Sequence, residues 1–88
     1  MSESPGVLEF PCEFPIKIFA ASKSDILAPA RAIVERHVGQ LDDHRVTTRA
    51  SKAARYVAIK FTVTAKSQDQ LDAIYRELTA HEDVVMAL

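Results

Sequence analysis

Between Tyr56 and Ala65 the chain alternates without a break. Val57, Ile59, Phe61, Val63 and Ala65 share one side, and Tyr56, Ala58, Lys60, Thr62 and Thr64 the other. β-Branched and aromatic residues at a period of two suit a pleated backbone with one buried face, so this stretch is expected to be the central strand of a sheet.

The other segments are read against that strand. Phe14, Ile16, Ile18 and Ala20 alternate with Lys17 and Phe19, which predicts a first strand over 13–20, with Pro11 and Pro15 favouring extended backbone at its start. Ile26, Leu27, Ala30, Ile33, Val34, His37 and Val38 recur at steps of three and four. They predict a first helix over about 25–38, with Ser22 or Ser24 as N-cap, Pro29 in its first turn and Gly39 as its C-terminal stop. After the polar connection Gln40-Leu41-Asp42-Asp43, the alternation of Val46, Thr48 and Ala50 with Arg45, Thr47 and Arg49 predicts a polar strand over about 44–50, suited to a sheet edge. Residues 51–54 are expected to form the bend. Ser67-Gln68-Asp69-Gln70 has the spacing of a capping box, with Gln70 reaching back to the cap. Leu71, Ile74, Tyr75 and Leu78 then mark a second helix over about 68–79, and Val84 to Leu88 a last strand.

The order strand, helix, strand, strand, helix, strand predicts an α+β chain of the ferredoxin-like type, a four-stranded antiparallel sheet with two helices on one face. Right-handed crossovers place the first and third strands in the centre, where the two apolar strands belong. With 88 residues, 48% of them hydrophobic and 26% charged, the chain has the composition of one globular domain. That domain is expected over 10–88, behind a flexible tail at 1–9. Folding at this size buries only about 60–65% of the unfolded chain's surface, so a partner subunit would add to stability. No apolar run reaches the ~18 residues of a membrane span and the N-terminus lacks the pattern of a signal peptide, so a cytoplasmic location without membrane association is expected. The single cysteine, Cys12, excludes an intramolecular disulfide.

Several residues together resemble a known family. They are Leu8-Glu9-Phe10-Pro11 with Phe14 and Lys17, Val34 with His37, Ser51 to Tyr56, Tyr75-Arg76-Glu77-Leu78, and Val84-Val85-Met86-Ala87-Leu88. Across nearly the whole chain this is similar to the YbeD-like family of small bacterial proteins. The resemblance implies a ferredoxin-like fold similar to ACT-type regulatory domains, an uncharacterised function and a suggested link to the regulation of lipoate metabolism. It implies no catalytic residue. The chain departs from ACT-type domains at Pro29 and at Ala21-Ser22-Lys23-Ser24, which has no glycine where such domains often bring backbone close to an amino-acid ligand.

Motifs for chemistry are few. Cys12 has neither a neighbouring histidine nor a second cysteine in the sequence, and reads as an ordinary small side chain. His37, His44 and His81 with Asp42 and Asp43 match no metal-ligand spacing, and His81 falls at the close of the second helix, where a cationic imidazole is favoured. Glu77 and Glu82 form no recognisable acid–base pair. With only Gly6 and Gly39 there is no glycine-rich phosphate loop, and no cofactor is expected.

The charge distribution is more informative. The net charge is −1, from 11 basic and 12 acidic residues, which excludes a uniformly basic nucleic-acid binder. Yet His44 to Lys60 carries Arg45, Arg49, Lys52, Arg55 and Lys60 and no acid. Strand alternation assigns Lys17 and Phe19 of the first strand, Arg45 and Arg49 of the second, and Tyr56 and Lys60 of the third to the helix-free face. Such a face suits an acidic protein partner or a second copy of the chain, which makes a non-enzymatic regulatory or interaction domain the leading expectation. An RNA-binding module using the same face is the alternative, although Ala58 stands where RNA-recognition motifs expose a second aromatic. A small-molecule sensor of the ACT type is third, and charges that merely keep an edge strand solvated are the plainest account.

Overall fold

The computed structural model describes residues 9–23, 25–50 and 55–88. The proposed tail apart from Glu9, the N-cap candidate Ser24 and the bend 51–54 lie outside them.

Strands β1 (Cys12–Ala21) and β3 (Tyr56–Ala65) pair antiparallel along their whole length, from Cys12 opposite Ala65 to Ala21 opposite Tyr56. Short strands flank them, β2 (Val46–Ala50) beside β3 and β4 (Val84–Ala87) beside β1, giving the sheet order β2-β3-β1-β4. Helices α1 (Leu27–Val38) and α2 (Gln68–Ala80) complete an α+β fold consistent with the expected ferredoxin-like arrangement. Ile16, Ile18 and Ala20 of β1 and Ile59, Phe61, Val63 and Ala65 of β3 are buried with Ala30, Ile33 and Val34 of α1 and Leu71, Ile74 and Leu78 of α2. The period-two and period-3.6 stripes thus meet in one core.

The element ends depart from the sequence reading in instructive ways. Helix α1 begins at Leu27 rather than near residue 25, with Ile26 at its N-cap and no side-chain cap. Ser22 lies instead in a turn, its N–H donating to the Arg55 carbonyl at 3.0 Å. Pro29 falls on the third helical residue, where a backbone N–H has no intrahelical acceptor, so the ring costs no hydrogen bond. Leu27, expected on the buried stripe, is exposed. Gly39 closes the helix at φ +87°, a left-handed conformation that a β-carbon disfavours, and its N–H donates to the Glu35 carbonyl at 2.9 Å. In α2 the Ser67 hydroxyl accepts from the Gln70 N–H at 3.1 Å as the capping box predicts. Gln70 reaches further than expected, however. Its Oε1 accepts from the Lys66 N–H at 2.7 Å, and its Nε2 donates to the His37 carbonyl of α1 at 2.7 Å.

Leu41, read as part of a polar connection, is 6% exposed and belongs to the core. Its backbone is clamped from both sides. Its N–H donates to Glu35 Oε2 at 2.8 Å, and its carbonyl accepts from Arg31 Nη2, while Arg31 also reaches Glu35 and Asp43. The Leu41 N–H and then the Arg31 guanidinium hold the Glu35 carboxyl below its ordinary value. The helices are joined by Glu77 Oε1, which receives His37 Nε2 at 2.9 Å and Arg36 Nη2 at 3.0 Å. These two contacts, His37 first, depress the Glu77 pKa.

Leu41→Ala should therefore destabilise the fold by about 2–3 kcal/mol, the lower part of the range for truncating a buried leucine, measured by urea unfolding. Lowered folded-state pKa values at Glu77 and Glu35 mean that the folded state binds fewer protons than the unfolded chain. The associated stability is complete above the ordinary carboxylate value of 4.5 and is lost as pH falls through the depressed values. Unfolding midpoints measured downward from pH 6 should drop in that acid window, and Glu77→Gln should flatten the slope.

Candidate functional site

Both described helices pack on one face of the sheet, and the pleat sends alternate side chains of β1, β2 and β3 to the other. Strand register converts that uncovered face into rows. Glu13 lies opposite Thr64, and Pro15 opposite Thr62. The next row runs Lys17, Lys60, Thr47, and the one after it Phe19, Ala58, Arg49. Ala21 opposite Tyr56 closes the series. On the β4 side Met86 pairs with Phe19, and Leu88 exchanges both backbone hydrogen bonds with Lys17, at 2.7 and 3.2 Å.

Five of the six residues singled out from the sequence, Lys17, Phe19, Arg49, Tyr56 and Lys60, occupy strand positions on this face. Arg45 belongs to a single 3-10 turn, Asp43–Arg45, that precedes β2, rather than to the strand itself. Its guanidinium still reaches the open face, but it is spoken for. Arg45 Nη1 lies 2.7 Å from Glu13 Oε1 and donates to the Thr62 carbonyl at 3.2 Å, while the Thr64 hydroxyl donates to Glu13 Oε2 at 2.7 Å. The Arg45 guanidinium, followed by the Thr64 hydroxyl, holds the Glu13 carboxyl below the usual carboxylate range.

Lys17, Lys60 and Arg49 are in the opposite condition. Lys17 and Lys60 are direct cross-strand partners, and none of the three forms an ion pair with a described residue. Directly opposed β-carbons lie about 4.5–5.5 Å apart, so two like charges there are destabilising. Beside them the small Ala58, set between Phe19 and Arg49, leaves an open hollow of about 130 Å³ lined by Lys17, Thr47, Arg49, Ala58 and Lys60. Tyr56 is 44% exposed and Met86 49%, whereas Phe19 is half-buried. The apolar members at the β4 side, Met86 and Leu88, were missed by the sequence reading, because a four-residue strand has too little alternation to orient it.

The remaining candidates sit elsewhere. Cys12 is half-buried at the start of β1. His37 serves the bridge between the helices, and His44 is an exposed member of the 3-10 turn. His81 is the C-cap of α2, and its Nδ1 accepts from the Asp83 N–H at 3.2 Å. Among the described residues no three His, Cys, Asp or Glu side chains gather as metal ligands, and no helix is long and apolar enough to cross a membrane.

Comparison with known proteins matches residues 6–88 to the family model described as "Protein of unknown function (DUF493)". A UPF0250 protein of Paraburkholderia phytofirmans is 39% identical over 87 residues, covering 99% of this chain and 98% of that protein. One from Chromobacterium violaceum is 38% identical, covering 98% and 97%, and one from Neisseria gonorrhoeae 37%, covering 94% and 91%. No solved structure matches the chain. None of these relatives' names describes an enzymatic activity, and the YbeD-like resemblance read from the sequence points to the same family. The chain belongs to the DUF493, or UPF0250, family of small bacterial proteins of unknown function.

Proposed function

We propose that this protein is a non-enzymatic interaction domain of regulatory type whose open sheet face docks an acidic segment of a protein partner in the cytoplasm. One observation carries the reading: Lys17 and Lys60 are held directly opposite each other, with Arg49 alongside and no described acid to neutralise them. A like-charged pair in the middle of a sheet opposes folding, and a carboxylate from outside reverses the sign of that interaction. The neighbouring Tyr56 and Met86 supply apolar contact, the combination an acidic segment with hydrophobic anchors complements. Protein is favoured over RNA because Ala58 interrupts the two rings that would stack bases, and because the chain's net charge of −1 opposes a polyanion beyond the immediate patch. The Glu77 carboxylate and the His37 imidazole are engaged in joining the helices.

Lys60→Gln should raise the unfolding free energy by about 0.5 kcal/mol at low salt, with the gain fading as salt screens the repulsion, measured by thermal or urea unfolding. For the docking reading itself, the wild-type chain and the triple variant Lys17→Ser, Arg49→Ser, Lys60→Ser are immobilised and challenged with bacterial lysate. Exposed substitutions shift stability by about 0.5 kcal/mol or less each, so the fold should survive. The expected result is capture of an acidic protein whose association slows with added salt and whose recovery collapses in the variant. Equal recovery by both chains overturns the reading. Nucleic acid in place of protein, with affinity falling steeply with salt, replaces it by the RNA alternative.

A further inference from the structure

We infer that the hollow over Ala58 is a discrete binding site for one compact oxyanion, a carboxylate or phosphate group, held between Lys17, Lys60, Thr47 and Arg49. The inference rests on the docking reading and gives that face a focal point. Three features of the hollow converge on this ligand class.

Its size comes first: the hollow of about 130 Å³ has room for a carboxylate or a tetrahedral oxyanion to sit among the lining side chains. Its donors come second. The residues that line it carry two ammonium groups, a guanidinium fork and a hydroxyl, and none of them is acidic. Lys17, Lys60 and Thr47 form one continuous row across β1, β3 and β2, while Arg49 reaches it from the next row. The backbone positions of these donors, on three hydrogen-bonded strands, are fixed by the ladder rather than by a loop.

The third feature is Ala58. It stands between Phe19 and Arg49 on the open face, in the row beside Lys17 and Lys60, where a larger side chain would occupy the hollow. The methyl group leaves both charges facing the same volume of solvent. Glu13, the acid described on the same face, lies two rows away and is already engaged by Arg45 and Thr64, so the chain's nearby carboxylate is withheld from the hollow. Among the described residues no acidic side chain lines the hollow, and the inferred anion comes from outside. Charge-assisted hydrogen bonds from opposed ammonium groups would convert the repulsion between Lys17 and Lys60 into a shared attraction.

The test uses the isotope-labelled full chain, titrated with inorganic phosphate and, separately, with a hexaglutamate peptide, each against sodium chloride at matched ionic strength. The inference expects saturable amide shifts centred on Lys17, Thr47, Arg49, Ala58 and Lys60 with at least one of the two probes and not with chloride. Saturation by phosphate identifies a free oxyanion as sufficient, and saturation by the peptide alone identifies a carboxylate presented by a chain. Ala58→Leu fills the hollow and leaves every charge in place, so it should weaken binding by about tenfold or more, the worth of one charge-assisted hydrogen bond. Lys60→Gln and Thr47→Val, at exposed positions, should do the same and serve if Ala58→Leu does not fold. Shifts that merely follow ionic strength with both probes, or binding undiminished in the folded variants, overturn the site. Failure here with partner capture still dependent on Lys17, Arg49 and Lys60 removes the pocket and leaves the docking face. Saturable binding here with partner capture indifferent to those charges removes the docking reading and leaves an anion site.

Discussion

The ten-rung antiparallel ladder between β1 and β3 is the constraint on which the molecule depends. It sets Ile16 beside Phe61, and Ile18 beside Ile59, in a core that both helices then cover. A pleated strand repeats every two residues, so a slip of one position would turn the entire apolar set to solvent. The register that buries those pairs therefore also dictates what stands opposite what on the other face. Lys17 meets Lys60 because Ile16 meets Phe61. The like-charged pair is locked in by hydrophobic burial, a much larger effect than the few tenths of a kcal/mol by which two exposed cations repel each other.

The helices are seated by apolar stripes and fastened by polar contacts at their margins. Glu77 joins α2 to His37 and Arg36 of α1, and Gln70 of the α2 cap reaches the His37 carbonyl. Just beyond the same C-terminal end of α1, Arg31 and Glu35 grip the backbone of Leu41, whose side chain is in the core. All of this occurs on one side of the sheet. The consequence for function is an open face whose side chains are ordered by strand pairing but not covered by either helix.

On that face charge is partitioned rather than spread. Arg45 is paired with Glu13 and serves to fasten the 3-10 turn to the end of the β1–β3 ladder. Lys17, Lys60 and Arg49 line the hollow beside Ala58 and form no ion pair with a described residue. A net charge near zero for the whole chain is thus compatible with a concentrated positive site a few residues wide.

Features whose cause is local were legible in the amino-acid sequence: the two long alternating strands, both helical stripes, the Ser67 cap, the Gly39 stop, and the sheet order that follows from crossover handedness. The membership of the open face by Lys17, Phe19, Arg49, Tyr56 and Lys60 was legible for the same reason, since alternation assigns faces without knowledge of pairing. Pairing itself is non-local, and it decided the rest. That Arg45 is taken by Glu13, 32 positions away in the chain, could not be read from either residue's neighbours. Leu41 sits in a polar stretch that gives no periodic signal, and its burial follows from two α1 side chains capturing its backbone. The start of α1 at Leu27 reflects how the chain leaves β1, with Ser22 tied to Arg55 across the sheet end rather than capping the helix. Most consequentially, the sequence by itself places two lysines on one face, but only the register of two strands more than thirty residues apart sets them side by side. Periodicity is a property of each segment, whereas opposition is a property of their packing.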